Sequence, residues 1–307
     1  MILALTPGMG IGPEITARSL ADQLPAKTVV LLGDGPTISA ELETVGVEHQ
    51  FCSTMHAAPI GVSILDTSGT EPAPVRAIRL AAEACMNGTA DAMVTGPIHK
   101  EKLIAQGFAF RGHTDMLGSI CGVDSVMAFA GGELRVALVT AHVPLREVDA
   151  LVTQERVMHV TKTAGTALRN DLGVDAPRIA VCGVNPHAGE SGVLGRVDID
   201  QILPACDAMR AEGWDVHGPM SAETAFMCAL RKEYDLVVAM YHDQGLVPLK
   251  MVDFGRSVNW TLGLPIVRTS VDHGTAYDLV GTGRAEHQSM TAAIQLAVSI
   301  VGRRKKA

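Results

Sequence analysis

Short runs of Val, Ile, Leu and Ala alternate along this chain with longer amphipathic stretches. Such runs are typical of strands buried on both faces, and the stretches between them are typical of the helices that cover those faces. The pattern predicts an α/β fold with strands at Ile2–Thr6, Thr28–Gly33, Asp91–Thr95, Val126–Ala130, Leu134–Thr140, Arg178–Cys182 and Asp235–Met240. Helices are predicted within 72–87, 153–171 and 199–212, where apolar residues recur at helical spacing,.

Length and charge restrict the class of protein. With 307 residues, of which 47% are hydrophobic, the chain can bury a large core and is long enough for two lobes,. A net charge of -8 gives no cationic surplus to attract nucleic acid or an anionic membrane, and no apolar stretch is long enough to span a bilayer,. The six cysteines are scattered without a CxxC pair, which fits the reducing cytoplasm,. We therefore expect a cytoplasmic protein that binds small molecules.

The first glycine-rich turn, Gly8–Glu14, directly follows a predicted strand. It suggests a dinucleotide loop, yet the third glycine of a GxGxxG pattern would fall at Pro13, and we find no acidic residue at the end of a following strand to hold a ribose,. The ordinary Rossmann interpretation is therefore disfavoured. A tight structural turn remains an alternative for this segment.

Histidines stand beside Gly, Pro, Ala or Asp in Gly112–Asp115, Thr140–Pro144, Asn185–Gly189 and Tyr241–Gly245. A single such histidine is usually a hydrogen-bonding residue, but His142, His187 and His242 each follow a different predicted strand,. Because the carboxyl ends of parallel strands lie at one edge of a sheet, these side chains are expected to meet. Three neutral imidazoles suit zinc or a related divalent ion. Such an ion is a Lewis acid that can activate a secondary alcohol and stabilise the negative charge left when carbon dioxide departs.

Two further groups of residues are candidates for ligand binding. Lys100, Lys250, Asn259 and Arg268 offer charge-assisted hydrogen bonds to a phosphate or carboxylate, and the apolar residues around Lys250 and Arg268 argue against ordinary surface charges,. In Asp272–Asp278 a short Gly-Thr-Ala step allows the backbone to approach a flat ring closely,.

Four stretches of the chain resemble one known family. They are Val94–Lys100, Gly112–Thr114, Asn185–Glu190 and the long run from Tyr241 to Gly283. Together they resemble the 4-hydroxythreonine-4-phosphate dehydrogenases of vitamin B6 biosynthesis, including relatives that act on D-threonate or D-erythronate 4-phosphate. The likeness covers almost the whole chain.

The resemblance implies a fold and an assembly. It implies a two-lobed subunit with parallel or mixed sheets, related to isocitrate and isopropylmalate dehydrogenases. We place the NAD-side lobe at 1–115 and 262–307, and the lobe with the metal and the dimer interface at 116–261. The expected assembly is a homodimer whose active site draws on both subunits.

The resemblance also implies ligands and their residues. The cofactor is expected to be NAD, with NADP possible, bound by Gly10, Gly12, Glu14, His273, Gly274, Thr275 and Ala276. The metal, zinc or magnesium, cobalt or manganese, is expected on His142, His187 and His242. The phosphorylated substrate is expected on His113, Thr114, Lys250, Asn259 and Arg268, with Lys100, His242 and Asp243 as catalytic candidates.

Two departures from the family pattern bear on the substrate. The Gly8–Glu14 loop is shorter than the usual one, with Met9 where an aspartate would stand. Glu223 replaces the usual aspartate, which moves a carboxylate by one methylene.

The expected reaction is oxidation at C3 of a four-carbon 3-hydroxy acid 4-phosphate by NAD, followed by decarboxylation of the 3-keto acid. One alternative is oxidation of an unphosphorylated cis-diol carboxylate from aromatic breakdown, against which His113, Thr114, Asn259 and Arg268 argue as a phosphate set. A malate-type decarboxylating dehydrogenase would bind its metal with aspartates rather than histidines. A non-catalytic metabolite-binding protein is the remaining alternative.

Overall fold

The computed structural model describes residues 1–106, 110 and 112–306. The strands are β1 (Ile2–Thr6), β2 (Thr28–Gly33), β3 (His49–Phe51), β4 (Gly61–Asp66), β5 (Ala92–Thr95), β6 (Val126–Ala130), β7 (Arg135–Leu138), β8 (Ile179–Cys182), β9 (Val216–Met220), β10 (Leu236–Ala239), β11 (Val258–Leu262) and β12 (Arg268–Ser270).

The α-helices are α1 (Gly12–Asp22), α2 (Gly35–Thr44), α3 (Ala73–Met86), α4 (Lys100–Ile104), α5 (His113–Cys121), α6 (Leu145–Leu151), α7 (Gln154–Ala167), α8 (Leu203–Ala211), α9 (Ala222–Leu230), α10 (His242–Asp253) and α11 (Gln288–Arg304). A π-helical turn at Leu168–Leu172 extends α7, and another at Asp198–Ile202 precedes α8. Within the described residues, no helix is long and apolar enough to cross a membrane.

The α/β class is confirmed, and each of the seven predicted strands is present. The bounds of β1, β2 and β6 are those predicted, and the other four strands differ by one or two residues at their ends. The three predicted helical stretches correspond to α3, α7 and α8, the last two together with their π-helical turns. Of the strands that the pattern missed, β3 and β12 have three residues each, β9 contains Gly and Pro, and β4 and β11 include polar residues among their apolar ones,.

The chain divides into two compact units, Met1–Ser125 with Val258–Ala307, and Val126–Ser257. In the first unit the strand order is β3-β4-β2-β1-β5-β12-β11. Its neighbouring strands are parallel except for β11 and β12, which are antiparallel. The core includes Val30, Leu32, Ile78 and Met93, from strands of the sheet and from α3.

The second unit has the strand order β6-β7-β10-β8-β9. Only its β6 and β7 pair is antiparallel, and its core includes Phe129, Val237 and Leu249. The buried carboxylate of Asp253, at the end of α10, accepts backbone N–H bonds from residues 132, 133 and 134 at 3.1 to 3.3 Å. Because β7, β10 and β8 are adjacent and parallel, the segments that follow them begin at the same edge of this sheet.

Candidate functional site

The second unit brings two of the three predicted metal ligands together. His142 follows β7, and His242 is the first residue of α10, directly after β10. The two strand ends are joined by Thr140, whose N–H and hydroxyl both donate to the carbonyl oxygen of Met240. The imidazole rings of His142 and His242 lie with their centroids 5.4 Å apart.

Asp243 fixes the orientation of the His242 ring. The His242 Nδ1 lies 2.8 Å from Asp243 Oδ1. An ionised carboxylate can only accept, so Nδ1 carries the proton and donates it, and the lone pair of Nε2 remains for a metal. The structure thus places the predicted catalytic Asp243 as the partner of a predicted metal ligand.

His187 lies in a turn of unusual backbone conformation after β8. The five residues 187–191 all have positive φ, from 44° to 80°, and only one of them is glycine. Such a run is costly and persists only where the surroundings impose it. Here the fully buried Asp198 accepts N–H bonds from Val184 at 2.7 Å and from Asn185 at 3.3 Å, and a third at 2.8 Å from the Asn185 amide.

The side chain of Gln244 connects the ends of β8 and β10. Its Nε2 donates to the carbonyl oxygen of Gly183 at 2.7 Å, and its Oε1 accepts the N–H of Met240 at 2.6 Å. Glu223, in the first turn of α9, lies close enough to Cys182 to add to the effect of burial, and together they raise the pKa of that thiol to about 12. Gln244 and Glu223 therefore both lie beside the end of β8, at the edge of the sheet that carries the histidines.

In the part of the chain that the structure describes, no three His, Cys, Asp or Glu side chains are grouped closely enough to hold an ion. His142 and His242 form a pair, and His187 does not join them in such a group. Two imidazoles, one oriented by a carboxylate, are nevertheless a suitable part of a zinc-type donor set.

In the first unit, Arg268 is a buried cation. Its side chain is 1% exposed, and no carboxylate pairs with it among the described residues. Its Nη1 donates to Thr261 Oγ1 at 2.7 Å and to Asn259 Oδ1 at 3.3 Å, and its Nη2 donates to Thr95 Oγ1 at 2.7 Å. Burial lowers the pKa of Arg268 to about 9, because neutral partners compensate the charge only in part,.

His113 and Lys100 belong to the same cationic cluster. Burial lowers the pKa of His113 well below its usual value, and the charges of Arg268 and Lys100 lower it further. The His113 Nε2 is buried and has no hydrogen-bond partner within the described residues. The structure therefore brings together four predicted residues, His113, Lys100, Asn259 and Arg268, around groups that can donate to an anion.

Of the other two predicted substrate residues, Thr114 directly follows His113 in α5, and Lys250 lies in the second unit. Thr114 is the second residue of α5, and its carbonyl oxygen accepts a hydrogen bond from Ser125 Oγ at 3.2 Å. Lys250 is half-buried on α10 in the second unit.

The two predicted cofactor segments are in direct contact in the first unit. The N–H of Ile11 donates to the carbonyl oxygen of Thr275 at 3.0 Å. Gly10 has a φ of 63°, and a Cβ at this position would overlap the carbonyl oxygen of Thr275. The close packing of the glycine turn on the 273–276 loop thus requires glycine at position 10.

Glu14, also predicted to bind the cofactor, is buried and forms an ion pair with Arg18 at 2.9 Å. The Arg18 Nη1 donates to the carbonyl oxygens of Gly283 and Ala285 at 3.2 and 3.1 Å. In this structure Glu14 therefore helps to hold the segment that follows the 273–276 loop against α1.

A cavity of about 670 Å³ lies beside the glycine turn, a size suited to a small ligand or cofactor fragment,. Gly8, Gly10, Asp34, Glu71 and Tyr277 are among its lining residues, and no lysine or arginine lines it in the described part of the chain. Asp34 corrects one sequence expectation, since an acidic residue does follow β2 directly. Its carboxylate caps α2 by accepting the N–H of Thr37 at 3.0 Å.

The family model described as "Pyridoxal phosphate biosynthetic protein PdxA" matches residues 38–297 of this chain. The chain belongs to the PdxA family. The resemblance seen in the sequence motifs is thereby confirmed over most of the chain, including the histidine, Arg268 and 273–276 segments.

Individual relatives agree with this membership. A 4-hydroxythreonine-4-phosphate dehydrogenase from Marinobacter nauticus is 42% identical, with 99% of this chain and 96% of the relative covered. The crystal structure of an enzyme of that name from Klebsiella pneumoniae has a TM-score of 0.85 at 37% identity, with 98% of each chain covered. A terephthalate 1,2-cis-dihydrodiol dehydrogenase from Burkholderia xenovorans is 28% identical, with a TM-score of 0.67, and covers 97% of this chain and 98% of its own.

The expected kinship of fold is also confirmed. The isocitrate dehydrogenase of Methylococcus capsulatus has a TM-score of 0.51 at 13% identity, with 99% of this chain and 86% of that chain covered, a likeness of fold alone. This PdxA family member is an enzyme, a dehydrogenase that uses a nicotinamide cofactor and a divalent metal. The alternative of a non-catalytic metabolite-binding protein is wrong.

Sequence reasoning missed several polar residues that shape these sites, namely Thr95, Thr261, Asp198 and Gln244. Thr95 offered a signal, because it is the polar residue that ends an apolar strand inside the Val94–Lys100 motif. Asp198 offered none, since its partners lie 13 and 14 residues away along the chain.

Proposed function

We propose that this dehydrogenase oxidises 4-hydroxythreonine 4-phosphate at C3 and that decarboxylation of the resulting 3-keto acid follows. The names of relatives at about 42% identity over nearly the whole chain support this substrate. Oxidation of D-threonate or D-erythronate 4-phosphate is a second candidate, because Met9 and Glu223 depart from the family pattern. Met9 lies in the loop that follows β1, and Glu223 lies in the first turn of α9, which follows β9.

The observation that carries the proposal is the cationic cluster of the first unit. A buried guanidinium without a carboxylate partner is costly, and an anionic ligand would compensate it. The unpartnered Nε2 of His113 and the charge of Lys100 belong to the same cluster. A phosphate group offers several acceptor oxygens and up to two negative charges, which suits three donor side chains better than a neutral hydroxyl does.

The proposed reaction balances without another reactant. With NAD bound, hydride would pass from C3 to the nicotinamide as the C3 alcohol becomes a ketone, and the bond from C2 to the carboxylate would then break to release carbon dioxide. The proton lost from the alcohol is balanced by protonation of C2. We assign proton movement to Lys100, which is exposed and next to His113, and we assign orientation of His242 to Asp243,.

We propose His142, His187 and His242 as the ligands of the divalent metal. Such an ion, zinc or magnesium, cobalt or manganese, would supply Lewis-acid polarisation of the alcohol oxygen. The His142–His242 pair and the imposed turn at His187 support this assignment. Neutral imidazoles favour zinc and its neighbours over magnesium.

We further propose a homodimer in which the active site draws on both subunits. Val247, Met251 and Phe254 occur at helical spacing along and just beyond α10, and their side chains are 56%, 81% and 78% exposed. An apolar stripe of this kind marks an interaction surface. The same helix begins at His242, so a second copy packed on this stripe would lie on the helix that carries a metal ligand.

We propose NAD rather than NADP as the cofactor, and the cytoplasm as the compartment. The cavity beside the glycine turn has Asp34 and Glu71 among its lining residues and, among those described, no cation to bind a 2′-phosphate,. The six cysteines are all unpaired, in keeping with a reducing compartment,.

The B. xenovorans relative favours one competing function, oxidation of a cis-diol carboxylate. The test is NADH formation and carbon dioxide release with 4-hydroxythreonine 4-phosphate, D-threonate 4-phosphate, D-erythronate 4-phosphate and unphosphorylated cis-diol acids. The proposal expects turnover of the first substrate, with a KM that rises in Arg268→Met. Turnover of a cis-diol acid alone would refute the phosphate assignment, and turnover of a sugar-acid phosphate alone would move the enzyme to carbon catabolism.

A further inference from the structure

Arg268 has two N–H groups in its guanidinium that no described residue accepts. Its Nη1 uses both protons, on Asn259 and Thr261, and its Nη2 uses one, on Thr95. The Nε–H is buried and without an acceptor among the described residues. One Nη2 proton and the Nε proton therefore have no acceptor among the described residues, and an anionic group could accept a hydrogen bond from each of them,.

The hydroxyl of Thr95 can only accept from Arg268. Its own proton goes to Ser270 Oγ at 2.9 Å, and Ser270 Oγ in turn donates to the backbone carbonyl oxygen of Thr95, also at 2.9 Å. A hydroxyl has a single proton, so this chain of donors leaves the lone pairs of Thr95 for the guanidinium. The direction of the Arg268 Nη2 bond is therefore set by the strand pairing of Ser270 with Thr95.

Thr261 fixes the other end of the guanidinium. It is buried in β11, and its hydroxyl lies 2.7 Å from Arg268 Nη1. Arg268 lies in β12, and the two threonines that accept its short hydrogen bonds lie in the neighbouring strands β5 and β11. Their hydroxyls are uncharged, so they orient the arginine and leave its positive charge intact. A carboxylate in the same position would neutralise that charge.

We infer that Thr95 and Thr261 are positioning residues that hold the Arg268 guanidinium so that its unused Nε–H and Nη2–H groups remain free to donate to the anionic group of the substrate. This inference rests on the proposed anion site at Arg268 and adds two residues that do not themselves touch the substrate. A threonine that served only to satisfy a buried donor would affect stability and leave ligand affinity unchanged.

The experiment compares Thr261→Val and Thr261→Ser in the enzyme loaded with metal and NAD. Valine keeps the shape and removes the acceptor, so KM for 4-hydroxythreonine 4-phosphate and the dissociation constant of inorganic phosphate should each rise roughly tenfold, while kcat changes less than about threefold. Serine restores the acceptor and should bring both constants back to within about twofold of the parent enzyme. If Thr261→Val fails to fold, Thr95→Val tests the same inference at the other bond.

Thr6 provides a matched control. It is the parallel register partner of Thr95, it is equally buried, and its hydroxyl has no hydrogen-bond partner within the described residues. Thr6→Val should leave phosphate affinity and KM unchanged.

Two outcomes would overturn the inference in distinguishable ways. Parental phosphate affinity in Thr261→Val and Thr95→Val, with affinity lost in Arg268→Met, would refute the positioning role and leave the anion site intact. Parental affinity in Arg268→Met as well would refute the anion site, and the positioning inference with it.

Discussion

Replacing Arg268 by methionine tests whether this buried cation serves binding rather than folding. Arg268 is the largest of the side chains that are less than 2% exposed in the described structure. Methionine fills much of the same volume, is flexible, and carries no charge. We expect Arg268→Met to lose phosphate binding while its free energy of unfolding stays within about 2 kcal/mol of the parent value.

The magnitude follows from two opposing contributions. Burial lowers the pKa of Arg268 from 12.5 to about 9, which corresponds to roughly 5 kcal/mol against the charged form in the folded protein,. Three hydrogen bonds from the guanidinium offset most of this cost, at roughly 1.5 kcal/mol each,. The substitution removes both contributions, so the net change is small. Breaking a buried ion pair would instead cost about 3–5 kcal/mol.

The assay is urea unfolding with and without inorganic phosphate at about 100 times its dissociation constant, where binding adds about 2.7 kcal/mol to the stability of the parent protein. Arg268→Met should show no such gain. Leu32→Ala, at a fully buried position of β2, is the control that should cost about 3 kcal/mol and keep the gain,. A loss above about 3 kcal/mol in Arg268→Met, or a retained phosphate gain, would refute the reasoning.

Three further predictions concern other residues. Because the pKa of His113 lies well below 6.5 in the folded protein, the unfolded chain binds more protons below pH 6.5,. Stability should therefore fall as the pH drops through that value, by up to about 1.4 kcal/mol per pH unit, and His113→Gln should flatten the dependence in urea titrations. Asp198→Asn, which leaves one acceptor for three N–H bonds, should cost about 2 kcal/mol and weaken zinc binding roughly tenfold in a competition assay with a chelating dye,. Met251→Glu should shift the oligomer toward monomer in light scattering, because a charge on the α10 stripe opposes burial of that surface,.

Each of these predictions has a contrary result. An unchanged pH slope in His113→Gln would place the linked proton on another group. Unchanged zinc affinity in Asp198→Asn would show that the conformation of the His187 turn does not affect metal binding. Met86 is half exposed on α3 in the first unit, so Met86→Glu is the control. An equal shift toward monomer in both glutamate variants would refute the assignment of α10 to the interface.

Local pattern predicted the strands that are continuous apolar runs. The β1 and β2 strands are continuous apolar runs buried on both faces, so their bounds could be predicted from composition alone,. The β12 strand could not, because its residues are Arg, Thr and Ser, and their burial depends on neighbouring strands rather than on their own hydrophobicity. The β9 strand contains Gly and Pro, which ordinarily argue against a strand,.

The sequence by itself determined the α/β class, the family, and the residue types that belong to each site, because strand periodicity and the family motifs are properties of contiguous residues,. The structure shows that Asp243 orients His242 and that Glu14 pairs with Arg18, contacts between residues one and four positions apart in the chain. Only the tertiary structure decided that Arg268 is held by two threonines. The bonds of Arg268 to Thr95 span 173 residues, and those to Thr261 cross between antiparallel strands. Hydrogen-bond direction and burial of a charge arise only when distant strands meet, so no local pattern encodes them.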